Sequence, residues 1–277
     1  MIDKSQLLAE YDRHLRAGAE MAGTASVDRL GPLYLGVYGA PGEEQTGFVS
    51  YAGLGADPER PDAPADRARV DEVVRRIVAW RDARPELSEV EVKTRTHDRA
   101  EGLPEALAAA GFEPEEPESV MIGPLEGLVG TPAPEGITIA PALTEEAMWA
   151  AARMEDEVFG STFAQRIVPE LLRRRAAGEP VTLWSAIADG RVVSAGRIEP
   201  VAGTPFAGVW GGATLPEYRG RGIYRALTSA RAASVAGLGV RLIHSDSTVD
   251  SRPILERAGL IKVTETTPFV WRRGGAA

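Results

Sequence analysis

The sequence predicts an α/β chain built on mixed sheets, with one arrangement of strands and helices laid down twice. Three observations carry that expectation. Stretches that alternate apolar and polar, such as Val90-Glu-Val-Lys-Thr-Arg-Thr96, are interleaved with stretches at helical spacing, such as Val70, Val73, Val74, Ile77 and Val78. A run holding Gly123, Pro124, Gly127, Gly130, Pro132 and Pro134 interrupts the pattern near the middle of the chain. Finally, Leu103-Pro-Glu-Ala-Leu-Ala-Ala-Ala-Gly111-Phe is echoed by Arg252-Pro-Ile-Leu-Glu-Arg-Ala-Gly259-Leu. Each unit lies between an alternating strand and a terminal strand, as duplication would leave it. The predicted domains are 1–122 and 136–277, with 123–135 as the linker.

In the first half, Leu7, Leu8, Tyr11 and Leu15 mark one face of an opening helix. Strands are expected over Leu33–Tyr38 and Phe48–Leu54, joined by the turn Ala40-Pro-Gly-Glu-Glu. Residues 55–68, rich in Pro, Asp and Ala, read as a surface loop. The helix of Val70–Val78 runs to Arg84-Pro85 and the strand Val90–Thr96 follows. Pro104 opens a short helix that Gly111 closes, Pro and Gly standing where helices favour them. Ser119–Ile122 reads as the last strand of this half.

The second half restarts with the strand Ile137-Thr-Ile-Ala and a helix capped by Thr144. A second helix, Ala164–Ala177, turns Ile167, Leu171 and Leu172 inward and Arg173-Arg-Arg175 outward, as a solvated face or an anion contact. Asp189-Gly190 between Val181–Ala188 and Val192–Ile198 is the strongest hairpin signal in the chain. Next come an apolar strand from Phe206 to Leu215, a helix ending near Gly237 and Gly239, and the strand Val240–Asp246. A helix from Ser251 to Ala258 and the strand Val263–Trp271 complete the order β-α-α-β-β-β-α-β-α-β.

Composition bounds the chemistry. The absence of cysteine excludes disulfides, thiolate metal sites and a thiol nucleophile. His14, His97 and His244 are too scattered for a metal site, so no metal is expected. A net charge of −9 argues against nucleic-acid binding; it is compatible with a cationic amine substrate and equally with an ordinary acidic cytosolic protein. The start, Met1-Ile-Asp-Lys-Ser-Gln, is too polar for a signal peptide, and no run approaches the ~18 apolar residues that span a bilayer. The expectation is a cytoplasmic chain, monomer or homodimer, that engages neither membrane nor nucleic acid.

The stretch with the most chemistry is Phe206-Ala-Gly-Val-Trp-Gly-Gly-Ala-Thr-Leu-Pro-Glu-Tyr-Arg-Gly-Arg-Gly-Ile-Tyr-Arg-Ala-Leu227. A strand stopped by Pro216 leads into a turn of alternating arginines and glycines, and then into a helix with Ile223, Leu227 and Ala230 on one face. The first N–H groups of a helix lack internal partners and carry the positive end of its dipole. Glycines let a phosphate approach them closely, and arginines add forked donors. The turn carries neither a Lys-Ser/Thr pair nor Gly-x-Gly-x-x-Gly, so it is neither a P-loop nor a dinucleotide fingerprint.

This turn, Arg219-x-x-Gly222-x-Tyr224 after a strand and a proline, resembles the acetyl-CoA motif Arg/Gln-x-x-Gly-x-Gly/Ala of the GCN5-related N-acetyltransferase (GNAT) superfamily. The element order of the second half is also that family's. The resemblance implies an acyl-CoA N-acyltransferase fold in two tandem copies, the first degenerate because it has no Arg-Gly-Arg-Gly turn. It implies acetyl-CoA as cosubstrate, its pantetheine arm paired to the main chain of Ala213, Thr214 and Leu215. The pyrophosphate would lie on Arg219, Gly220, Arg221, Gly222, Ile223, Tyr224 and Arg225. Tyr224 departs from the small residue of the motif: its side chain points away, crowds the phosphates, or is simply a packed aromatic. Gly211-Gly212 suits a bulge that splays the sheet, or simply relieves packing.

The same resemblance implies direct attack of a small-molecule primary amine on the thioester, with a base, an oxyanion donor and a proton for the leaving sulfur. Aligned on Gly259, Leu255 falls where many members have the tyrosine that protonates the thiolate. The catalytic candidates are therefore Asp246 and His244, two apart on one strand and so on one face, and Ser251 for a hydroxyl. Glu199 and Glu217 sit near strand ends, and Trp184 and Trp210 either wall an acceptor pocket or belong to the core. The competing expectation is a CoA-binding sensor or scaffold that no longer catalyses, to which Leu255 and Tyr224 point.

Overall fold

In the computed structural model, residues 3–55, 60 and 62–274 are described; part of the expected 55–68 loop lies outside them. Helices alternate with strands in the order α1 (Lys4–His14), β1 (Ser26–Leu30), β2 (Leu33–Tyr38), β3 (Gln45–Tyr51), α2 (Arg67–Asp82), β4 (Leu87–Arg95), α3 (Leu103–Ala109), β5 (Glu113–Pro114) and β6 (Glu118–Pro124). The second half supplies β7 (Thr138–Pro141), α4 (Glu145–Phe159), α5 (Ala164–Ala176), β8 (Thr182–Ala188), β9 (Arg191–Pro200), β10 (Phe206–Thr214), α6 (Ile223–Val235), β11 (Leu242–Ser247), α7 (Arg252–Arg257) and β12 (Ile261–Arg272). The α/β class and the order of the second half are as the sequence predicts.

Two compact units emerge, and neither is one continuous stretch. The first takes the chain up to Val120, then Asp246–Val249 and the chain from Lys262 on; the second takes Met121–Ser245 and Asp250–Ile261. The compact units therefore do not run parallel to the stretches 1–122 and 136–277. The reason is β12, whose residues Thr266–Arg272 pair antiparallel with Arg95–Glu89 of β4.

In the first unit β1, β2 and β3 are antiparallel neighbours, and β4 then joins β3 in parallel through the crossover helix α2. Asp66 caps α2 by accepting the Arg69 N–H at 2.9 Å. Val70, Val73, Val74 and Ile77, one stripe of α2, pack on Leu33, Leu35, Val49, Val90 and Val92 of the sheet. The parallel ladder of β3 and β4 ends at Val49 and Val92. Beyond it the Ala17 N–H donates to Ser50 Oγ at 3.2 Å, and Glu20 pairs with Lys93 at 3.0 Å and with Arg95 at 2.5 Å.

The second unit repeats this sequence of pairings. β7, β8, β9 and β10 are antiparallel neighbours, and β11 joins β10 in parallel through α6. Thr144 caps α4, accepting the Ala147 N–H at 3.2 Å. The alternation of β9 sorts its side chains between two clusters. Val193 and Ala195 pack with Met148, Ala151 and Ala152 of α4, and Ile198 packs with Ala232 and Val235 of α6.

Candidate functional site

The site is laid out along β10. Its parallel ladder with β11 covers Phe206, Ala207 and Gly208 against Leu242, Ile243 and His244. From Val209 to Thr214 the strand continues with its antiparallel partner β9 alone. Within that run the register slips: Trp210 faces Arg197 and Ala213 faces Ala195, so Gly211 and Gly212 together oppose one residue of β9. This is a β-bulge, and Gly211 at φ +63° occupies the left-handed region that favours glycine there.

Main-chain direction follows from the ladder. The Leu215 N–H donates to the Val193 carbonyl at 2.9 Å. Successive residues of an antiparallel strand turn their N–H and C=O groups to opposite sides, so Ala213 shares the side of Leu215 and Thr214 faces the edge that β11 has left. Of the three residues expected to pair with pantetheine, Thr214 alone has that direction. Its carbonyl accepts the Arg219 Nε at 3.0 Å, which leaves its N–H for a ligand. The side chains of Ala213, Leu215 and Ile223 are buried in the cluster beneath α4.

The strand ends in the turn. Gly220 and Gly222 take φ +72° and +78°, and no atom lies within 4 Å of where a Cβ would stand on either, so their faces are open. Gly222 begins α6, and no side chain caps that helix end. Arg221 is exposed and stacks over Tyr218 at 5.1 Å, whereas Arg225 donates to Thr131 Oγ1 at 3.3 Å. Open glycines, a helix start without a side-chain cap and an exposed guanidinium give this turn the donors and charge that suit an anion.

Tyr224 points inward. A Cβ on Gly212 would stand 2.5 Å from the Tyr224 hydroxyl, so the absent side chain of one residue is the space of the other. The Tyr224 ring lies 5.8 Å below the guanidinium of Arg231. Arg231 is fully buried and donates to the Arg197 carbonyl at 3.0 Å and to Thr228 Oγ1 at 2.9 Å. Burial pulls its pKa down.

On the other side of the bulge stands a residue that the sequence reading missed. Glu155, in the third turn of α4, lies over Gly211: a Cβ there would be 3.0 Å from Oε1 and 3.2 Å from Oε2. The side chain is buried, at 5% exposure, and Oε1 accepts no hydrogen bond among the described residues. Burial pushes the carboxyl up to about 7; Arg197 and Arg231 oppose that shift and Asp156 adds to it. Its only sequence signal was a carboxylate on the apolar face of a helix, at i+3 and i+4 from Ala152 and Ala151.

The predicted catalytic side chains have the following surroundings. His244 is buried edge-on against Trp210 at 5.2 Å and Phe206 at 6.0 Å. Asp246 counts with the first unit, where it ion-pairs with Lys93. Ser251 starts α7, its carbonyl accepting the N–H groups of Ile254 and Leu255 at 3.0 and 3.2 Å. Leu255 is buried in the cluster with Val209, Ile243 and Leu260, so no hydroxyl replaces the family's tyrosine at that position. Glu199 is held by Arg174 at 2.8 Å and Arg197 at 3.0 Å, which together with Glu170 and Glu179 form an ion-pair cluster. The Arg191 guanidinium meets Glu217 at 3.1 Å on the surface.

The sequence matches no protein-family model and no curated protein. Solved structures do match. A GCN5-related N-acetyltransferase from Kribbella flavida superposes with a TM-score of 0.63 at 19% identity, over 98% of this chain and 95% of that one. A second, from Sphaerobacter thermophilus, gives 0.60 at 19% identity over 89% and 79%. A tandem GNAT protein from the clavulanic acid biosynthesis pathway gives 0.59 at 18% identity over 94% and 89%. Bulge, diverging parallel strand and glycine turn thus sit within a known frame: the chain has the fold of the GCN5-related N-acetyltransferases.

Proposed function

We propose that the second unit binds acetyl-CoA and transfers its acetyl group to the primary amine of a small molecule by direct attack. The observation that carries this reading is the unshared edge of β10, which leads from the Gly211-Gly212 bulge straight into the open turn of Gly220 and Gly222. An extended acyl-pantetheine arm pairs with such an edge as an added strand does, with the Thr214 N–H as donor. The pyrophosphate takes the N–H groups that open α6, and Arg221 neutralises it.

The first unit reads as a degenerate copy. Its pairings run in the same order, and its β3 and β4 part in the same way after Val49 and Val92. There, however, Ser50, Lys93 and Arg95 are taken up by Ala17 and Glu20 of the same unit. That chemistry supports a first copy that holds no CoA. It also favours tandem organisation; use of acetyl-CoA would in turn suit the cytoplasm, where that cosubstrate is available. One observation favours a second reading, a protein that binds CoA without catalysis: the core position of Leu255.

Calorimetry with acetyl-CoA and CoA tests the cofactor. Gly222→Glu, which sets a carboxylate against the pyrophosphate, is expected to weaken binding on the order of 100-fold, since charge-assisted bonds are worth roughly 1.5–3 kcal/mol each. Gly222→Asn controls for backbone strain, because asparagine tolerates the left-handed region, and should still bind. A folded wild type that binds neither ligand would end the acyl-transfer reading. Thiol release with a panel of small amines then separates an enzyme from a sensor.

A further inference from the structure

We propose that Glu155 is the group that removes the proton from the acceptor amine. The assignment rests on the acyl-transfer reading above and replaces His244 and Asp246 in that role. Among the carboxylates at or near β10, Glu155 alone combines three properties. It stands directly over the Gly211 bulge, where no Cβ shields it. Its Oε1 is buried and accepts no hydrogen bond among the described residues. Three charged groups act on it: Arg197 on β9 and Arg231 on α6 attract the charged form, and Asp156 on α4 opposes it. Glu199 and Glu217, by contrast, are already engaged by arginines.

A buried carboxylate oxygen without a donor costs free energy that an arriving donor recovers. An ammonium group is such a donor, and it carries the proton that has to leave before nitrogen can attack. The balance of burial against Arg197 and Arg231 sets the carboxyl at about 7, close to where a base both accepts and releases protons at neutral pH.

The step balances as follows. The ammonium gives one proton to Glu155, and the freed lone pair forms the C–N bond to the thioester carbonyl carbon while the π pair moves to oxygen. When the carbonyl re-forms, the C–S bond breaks and its electrons leave on sulfur. Of the two protons nitrogen loses, the first passes through Glu155 to solvent and the second ends on the CoA sulfur. Ammonium and thioester thus give amide, thiol and one released proton.

The test uses the full chain, Glu155→Gln and Glu155→Asp. Acetyl-CoA affinity is measured by calorimetry, and thiol release is followed from pH 6 to 10 with small primary amines of differing basicity. Acetyl-CoA binding is expected to be unchanged within about twofold. At pH 7, kcat/KM of Glu155→Gln is expected to fall about 10²–10⁴-fold, the usual worth of a positioned base. The wild-type limb that rises through about pH 7 should vanish in Glu155→Gln and persist at lower rate in Glu155→Asp. The deficit of Glu155→Gln should shrink with rising pH and with less basic amines, which arrive already neutral. A deficit equal at every pH, an unaltered rising limb, or acetyl-CoA binding with no thiol release from any amine overturns the proposal. Loss of acetyl-CoA binding by the wild type itself overturns the underlying reading instead.

Discussion

Glu20→Ala is expected to destabilise the first unit by about 3–5 kcal/mol, the usual cost of removing one partner from a buried ion pair. Its carboxylate lies between Arg95 at 2.5 Å and Lys93 at 3.0 Å and also takes the Ser50 hydroxyl. The Arg95 side chain has no exposed surface, so alanine at 20 strands a guanidinium whose remaining partners are the Tyr11 hydroxyl at 3.0 Å and the Lys93 carbonyl at 3.0 Å. Burial alone would raise the Glu20 pKa, but Arg95 and Lys93 win and hold it at about 2, against 4.5 in the unfolded chain. A depressed carboxyl stabilises the fold fully above the unfolded value and loses that contribution as pH falls through the folded one. Urea unfolding of wild type and Glu20→Ala should therefore differ most at pH 6–7 and converge between pH 4.5 and 2. Parallel curves across that window would show that the pair does not set the stability of this unit.

The stability of the second unit should move in the opposite sense. Glu155 is raised from 4.5 to about 7, so between those values the folded chain holds a proton that the unfolded chain releases. Stability then falls as pH rises through the window, by about 3 kcal/mol at 1.36 kcal/mol per unit of pKa. Glu155→Gln has no proton to lose. Relative to wild type it should gain stability steadily from pH 4.5 to 7 and hold that gain at pH 8, as thermal melts at fixed ionic strength would record. Glu91, which burial also raises to about 7, adds its own slope to both proteins and cancels in the comparison. An unchanged difference at pH 5 and pH 8 would mean that the carboxyl of Glu155 is not desolvated in solution.

Both predictions concern groups whose behaviour no local pattern announces. What was legible in the sequence was what short stretches decide. The hairpin at Asp189-Gly190 joins β8 to β9 directly, and the glycine-arginine turn opens α6. The pair Gly211-Gly212 is a bulge, one of the two readings open for it. Strand β1 was not legible: Val27, Asp28 and Arg29 lie on a sheet edge, partly or fully exposed, with no alternation to mark them. Asp246 was placed in the chemistry because its spacing from His244 puts both on one strand face. Its partner Lys93 lies far away in the chain, and nothing local hints at it. Glu155 was missed for the converse reason: its helix position reads as an ordinary polar interruption, and only the packing of α4 on Gly211 desolvates it. Tyr224 shows a third kind of limit. The motif fixes where its backbone goes, while its side-chain direction depends on the space that Gly212 leaves and on Arg231.

The assignment of Lys262–Arg272 to the first unit has a bearing on how the chain is made. A ribosome delivers residues in order, and β4 waits for a neighbour that emerges more than a hundred residues later. Until then Val90 and Val92 belong to an unfinished sheet, and its unpaired edge is a template for wrong pairing. Contacts so distant along the chain are slow to form. The first unit, although it is synthesised first, is thus completed last. Cutting the gene at the proline-rich stretch would yield an N-terminal piece that lacks one of its own strands.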